Sequence, residues 1–304
     1  MKAYFQLTWP RPAFLPRIGN LIRLYFQLTK PKIALLLLIS TAAGMLAAGR
    51  GSISWETGLA VMVGGYLCAG GAAAMNCYLD RELDLVMVRT RNRPLPAGQI
   101  TPRNALVFST VISLLSIPFF LVVSPMIMVM GAMAWVYYVL IYSIFLKRRT
   151  SQNIVIGGAA GAFPPMIGWT AITGSVDASA IFLFLIVFFW TPPHAYALML
   201  ALKDDYRKVN VPMLPVVKGD RETGRQIIGY SIVLLIVTII PAALGIFGIL
   251  YLAIAISLGI LLLALAVRLY YSLERFWALR LFRYSSFYLA LLFLGLVLDR
   301  SFTA

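Results

Sequence analysis

Three of the eleven acidic residues in this chain, Asp80, Glu82 and Asp84, fall within five positions, and Arg89, Arg91 and Arg93 follow at once. On a continuous helix Asn76, Asp80 and Asp84 recur at i, i+4 and i+8, so they share one face with about 6 Å between neighbours, while Glu82 points elsewhere. Two carboxylates on one face repel each other unless a cation sits between them. A hard divalent cation such as Mg2+ takes oxygen ligands of this kind and bridges them to phosphates. The arginines, on a stiff extended path into Pro94 and Pro96, would then suit the anion that such a cation carries. A solvated helix end, salt-bridged among Asp80, Arg81, Glu82 and Asp84, is the plainer account of the same cluster.

A second patch, KDDYRK at 203–208, carries Asp204 and Asp205 among Lys203, Arg207 and Lys208. Further basic residues stand at Lys147, Arg148 and Arg149 and at Lys30 and Lys32. Together they read as two halves of one cation and diphosphate site. The only histidine, His194, lies within FFWTPPHAYAL at 188–198. It is about 16 Å from Asp205 on a regular helix, and Pro192 and Pro193 are expected to kink that helix. An ionisable group at this depth is either a functional ligand or a hydrogen-bonded packing residue. Trp190, Tyr196, Trp169, Tyr138 and Tyr142 are equally open between core packing and cavity wall. Gly157, Gly158 and Gly161 suit close helix contact, and Pro164 with Pro165 predicts a second kink.

The elements that position these groups are membrane helices. The 304 residues are 61% hydrophobic and 12% charged, outside the range of soluble domains. Nine apolar runs are long enough to cross a bilayer, at 33–49, 57–79, 105–123, 125–146, 153–172, 179–202, 227–247, 249–267 and 284–298. The chain therefore reads as a single all-α membrane domain over 1–304, with 1–28 as an amphipathic cytoplasmic arm rather than a cleavable signal. Counting Lys and Arg by side places 24 of 26 with the N-terminus, the long loops and the short 147–149 turn, which predicts that this face is cytoplasmic. The net charge of +15 is then a basic membrane face and calls for no nucleic acid. Seven of the eleven acids lie in the loops after the second and sixth runs. That placement is expected if runs one to four and five to eight are parallel repeats, with a ninth added. Cys68 and Cys77, nine positions apart on one helix, are about 13 Å apart and beyond disulfide reach.

NCYLDRELD followed by RTRNRPLPAG resembles the first aspartate-rich motif of the UbiA-type intramembrane prenyltransferases. LKRRTSQNIVIGGAAGAFPPMIGW, WTPPH and KDDYRKVNVPMLPVV are similar to the haem-directed branch of that family, and the likeness runs from about Lys30 to Tyr230. The resemblance implies nine helices around a central cavity and Mg2+-dependent transfer of a farnesyl group from farnesyl diphosphate to a vinyl group of haem B, giving haem O. It further implies that Asn76, Asp80, Asp84 and Asp205 hold the metal and carry catalysis, with Asp204 as helper. Arg89, Arg93, Lys147, Arg148 and Lys30 would bind the diphosphate, and His194, Trp190 and Tyr142 would line the substrate site, His194 against the porphyrin. A bacterial cytoplasmic membrane is the implied setting, with haem A synthase or terminal-oxidase assembly as partners. Leu202 stands where relatives usually carry a further acid, and Ala195 and Tyr196 stand where an aromatic pair is common. Other acceptors, or a transporter with paired repeats, are the competing readings. A CDP-alcohol phosphotransferase is disfavoured because its D-G-x-x-A-R lead-in is missing.

Overall fold

The computed structural model describes residues 18–209 and 211–302. Among them, nine helices are long and apolar enough to span a membrane: Pro31–Ala48, Trp55–Leu79, Pro102–Val123, Pro125–Leu146, Asn153–Thr173, Ala178–Ala201, Gly219–Ala243, Ile249–Ser272 and Arg275–Phe302, called spans 1 to 9. The chain is a multi-pass all-α membrane protein. Its helix starts follow local chemistry. Ser54, Thr101, Ser124 and Asp177 each accept a backbone N–H of the following turn, and Pro102 and Pro125 open spans 3 and 4, where a missing N–H costs nothing.

Two of the last three spans start earlier than their apolar runs. Span 7 begins at Gly219 and absorbs Asp220 and Glu222, and span 9 begins at Arg275. Helix-forming polar residues continue the backbone ladder beyond the hydrocarbon, which hydropathy alone does not register. Neither proline pair interrupts its helix. Span 6 is continuous through Pro192 and Pro193, and the interruption in span 5 falls at Gly158 rather than at Pro164 and Pro165. Of the expected N-terminal arm, residues 18–28 form a helix that buries Leu24 and Leu28 and exposes Ile18, Leu21, Ile22 and Phe26; residues 1–17 lie outside the described residues.

Span 2 packs on span 3 as span 6 packs on span 7, and the two four-helix halves meet where span 1 lies against span 5. The meeting is close because it is made by glycines. A Cβ on Gly168 would stand 2.0 Å from the Thr41 carbonyl oxygen, and one on Gly44 would stand 2.2 Å from that of Pro165. Span 9 closes the second half against spans 6 and 8 and also touches span 1.

At the end of the bundle away from the acidic loops, buried Asp299 accepts the backbone N–H of Gly248 at 2.6 Å and of Tyr251 at 3.2 Å. It thereby supplies acceptors for the first turn of span 8, whose own preceding residue is a glycine. Asp299→Ala is expected to destabilise the protein by about 2 kcal/mol or more, because two buried donors lose a charged acceptor. Detergent-phase unfolding followed by circular dichroism measures this.

Candidate active site

The acidic motif is not one continuous helix. Span 2 ends at Leu79, and Asp80 takes φ −92° and ψ 3° before a short helix, Arg81–Val86. That bridge conformation is sparsely populated and recurs at active sites. Two hydrogen bonds carry the register across the break: Asp80 N–H donates to Asn76 O, and Asp84 N–H donates to Asp80 O. Asn76, Asp80 and Asp84 are all buried, whereas Glu82 is exposed.

The opposing wall comes from span 4. Tyr137–Leu146 is wound as a π-helix, a form that is rare and concentrated at functional sites. This winding directs Tyr138 and Tyr142, stacked 5.8 Å apart, into the interior and delivers Ser143 and Lys147 to the acidic motif. Asn76 Nδ2 donates to Asp80 Oδ2 at 2.9 Å and to Ser143 Oγ at 3.0 Å, and its Oδ1 accepts from Lys30 Nζ at 2.7 Å. Lys147 pairs with Asp80 Oδ2, and Arg93 pairs with Asp84 Oδ2 at 2.9 Å. Burial opposes the charge on Lys147, but the neighbouring Tyr142 and Asp80 outweigh it and set its pKa above the ordinary lysine value. Lys30 reaches Asn76 from a left-handed backbone, φ 50° and ψ 60°, an arrangement that costs a non-glycine residue about 1–3 kcal/mol.

A hydrogen bond joins the second loop to the first. Arg89 donates to the Tyr206 hydroxyl at 2.7 Å and lies over its ring. The stretch from Arg89 to Arg93 folds as successive turns and not as the extended path expected from its prolines, since the Met87 carbonyl accepts the N–H groups of Thr90 and Arg91 and the Thr90 carbonyl accepts that of Arg93. Asp205 faces Lys208 at 4.0 Å, and exposed Asp204 pairs with Arg207. Arg148 donates to the Leu79 carbonyl at 3.2 Å and so caps span 2. Among the described residues, no three His, Cys, Asp or Glu side chains gather into a group fit to hold a metal. One atom nonetheless calls for a partner: Asp80 Oδ1 is buried and accepts no hydrogen bond. A carboxylate oxygen left bare beside a second carboxylate suits a divalent cation.

Below this polar layer lies an apolar cavity of about 360 Å³. Its mouth is marked by Lys30 and Tyr142, and its walls come from spans 1 to 6, with Gly65, Ala69, Ala72 and Ala73 of span 2 leaving the space that larger side chains would fill. Trp135, Tyr138 and Trp190 add aromatic faces. Spans 7 to 9 pack outside the cavity, so the chamber belongs chiefly to the first five helices. Tyr196 and Trp169 are packing residues: Tyr196 is fully buried in the core, and Trp169 donates to Asp177 at 3.0 Å. His194 sits behind Trp190, stacked on it at 4.2 Å, with Phe282 of span 9 on the other side at 4.5 Å. Ser143, Tyr206 and Ser285 were not singled out from the sequence. A serine or tyrosine in an apolar helix carries no local mark of the partner it will meet.

A charged, partly uncompensated layer above an apolar, aromatic chamber within a bundle of nine spans defines an intramembrane enzyme for substrates with a phosphate head and a hydrocarbon tail. The chain belongs to the UbiA prenyltransferase family, whose pattern matches residues 37–297. It is 46% identical over 290 residues to the protoheme IX farnesyltransferase of Gloeobacter violaceus, covering 95% of each chain. Several other relatives of that name are longer, and this chain spans about half their length. The fold is shared with a digeranylgeranylglyceryl phosphate synthase at TM-score 0.79 and 19% identity, over 93% of this chain and 99% of that one. It is shared too with a UbiA homologue of Archaeoglobus fulgidus bound to GPP and Mg2+ at TM-score 0.63 and 14% identity, over 90% of this chain and 99% of that one.

Proposed function

We propose that this protein transfers the farnesyl group of farnesyl diphosphate to a vinyl group of haem B, giving haem O and diphosphate with uptake of one water. The observation that carries the reading is the joining of a cationic and anionic mouth to an apolar chamber, which fits a prenyl diphosphate head and tail. The haem acceptor is supported by the likeness to the Gloeobacter farnesyltransferase. Asp80, Asp84 and Asn76, with Asp205 from the second loop, would hold Mg2+, which when bound supplies positive charge against the diphosphate. Bare Asp80 Oδ1 supports that assignment, and the Mg2+ of the Archaeoglobus homologue is in keeping with it.

The chain's own groups do the rest. Lys147 and Arg93, with Lys30, Arg89 and Arg148 near them, bind the phosphate oxygens and stabilise the charge that grows as the carbon–oxygen bond breaks. The chamber excludes water from the allylic cation, and the faces of Tyr138, Tyr142 and Trp190 stabilise it. The vinyl carbon of the haem then attacks, and water adds to the resulting cation and loses a proton to the released diphosphate or solvent, leaving a hydroxyethyl carbon. No covalent enzyme nucleophile is required, and the two cysteines, Cys68 and Cys77, are free thiols inside span 2, the first half-buried and the second buried. The basic face carrying the site is cytoplasmic, by the bias of Lys and Arg.

The test is incubation of purified protein with haem B, farnesyl diphosphate and Mg2+, followed by mass analysis of the haem. A gain of one farnesyl group plus one hydroxyl group is expected. An unmodified haem, with another acceptor prenylated instead, would move the assignment to a different acceptor.

A further inference from the structure

We propose that Phe120 of span 3 is the floor of the chamber and sets the longest hydrocarbon tail that the site accepts, three isoprene units. The inference rests on the reading of the chamber as the seat of a prenyl tail. Spans 1, 2, 4, 5 and 6 each supply at least two residues to the chamber wall. Span 3 packs against span 2 and, among the described residues, supplies Phe120 alone. Its ring reaches the interior because a glycine stands at either edge of it. A Cβ on Gly64 of span 2 would lie 3.0 Å from ring atoms Cδ1 and Cε1, and one on Gly131 of span 4 would lie 2.5 Å from Cε2 on the opposite edge. Phe120 is buried in one cluster with Met45, Val61, Ile127, Met130 and Ile167, which closes the chamber at the end away from the acidic motif. A ring gripped on both edges and backed by packed side chains does not swing aside for a longer ligand.

The depth above the ring matches one chain length. Asn76, at the level of the charged layer, and Gly64, beside the ring, are twelve positions apart on span 2, about 18 Å at the rise of an α-helix. Carbon–carbon contact with the ring takes about 4 Å of this and leaves about 14 Å for the chain. An extended farnesyl chain covers about 14 Å with carbon–carbon bonds of about 1.5 Å, and a fourth isoprene unit adds about 5 Å. That fourth unit has to displace Phe120 or fold back toward the acceptor. A geranyl chain fits but leaves apolar wall uncovered, and loses the burial that a third unit contributes.

Unreactive thiodiphosphate analogues of geranyl, farnesyl and geranylgeranyl diphosphate, titrated with Mg2+ into the purified protein by calorimetry, read tail preference without any acceptor. Wild type should bind the farnesyl analogue at least tenfold more tightly than the geranylgeranyl one. Phe120→Ala should tighten the geranylgeranyl analogue at least tenfold, because its last unit is then buried, and change the farnesyl analogue far less. Phe120→Leu removes less of the packed floor and should shift the ratio in the same direction, so it decides the matter if the alanine variant does not fold. Phe119→Ala, at the adjoining and partly lipid-exposed position, should leave the ratio unchanged. A ratio unmoved by the Phe120 variants, or moved equally by Phe119→Ala, overturns the floor while farnesyl binding keeps the prenyl reading. Failure of all three analogues to bind wild type overturns both. A preference that shifts in Phe120→Ala while no donor modifies haem supports the floor and removes only the acceptor.

Discussion

Asp80→Asn is expected to lower Mg2+-dependent release of diphosphate from farnesyl diphosphate by at least about 10²-fold while the protein stays folded. Three features of Asp80 place it first among the acids. It occupies the break between span 2 and the short helix after it, its Oδ2 is shared by Asn76 and Lys147, and its Oδ1 is buried without a partner. Asparagine keeps the size and most of the hydrogen bonding but removes the charge that a cation needs. Asp80→Ala is a poorer test, since stripping one partner from a buried pair costs about 3–5 kcal/mol and would confound folding with chemistry. Diphosphate release measured beside circular dichroism separates the two. A folded Asp80→Asn protein that works within a few-fold of wild type would remove Asp80 from the reaction.

Gly168→Val should cost about 3 kcal/mol or more in stability and yield little folded protein, although it adds only apolar carbon to an apolar helix. A Cβ there would meet the Thr41 carbonyl oxygen at 2.0 Å, and a backbone oxygen in a packed helix cannot turn aside as a side chain can. Gly161 is the internal control. It lies in the same span, lines the chamber, and has nothing within 4 Å of an added Cβ. Gly161→Ala should leave stability unchanged or raise it by about 0.5–1 kcal/mol through helix propensity. Thermal unfolding of both variants in one detergent measures the contrast, and equal tolerance at the two positions would sink the account of the span 1 and span 5 seam.

The nine spans were legible in the sequence because length and apolarity suffice to specify a crossing, and Asp80 and Asp84 were legible because acids are rare in such a chain. The start of span 9 at Arg275 was not, since a helix outlasts its hydrophobic run. Nor were the partners of Asn76, whose carboxamide is engaged by Lys30, Asp80 and Ser143 together, residues up to 67 positions away. The π-helical turn that brings Tyr142 and Lys147 to one face has no sequence signature. Nor was the contact of Arg89 with Tyr206, 117 positions on, legible, because a contact between loops depends on the fold of both.

The ion pairs at the mouth have a consequence for which anions the protein admits. Lys147 and Arg93 already neutralise Asp80 and Asp84, so an incoming diphosphate has to compete with carboxylates for the same cations. Inorganic diphosphate brings nothing to offset that competition. A prenyl diphosphate does, because its tail leaves water for an apolar chamber, at about 0.8 kcal/mol for each buried CH₂. Under the proposed function, the resting pairs would then select by the tail rather than the head. If the proposed roles of Lys147 and Arg93 hold, inorganic diphosphate is expected to inhibit only weakly, which inhibition measured against farnesyl diphosphate checks.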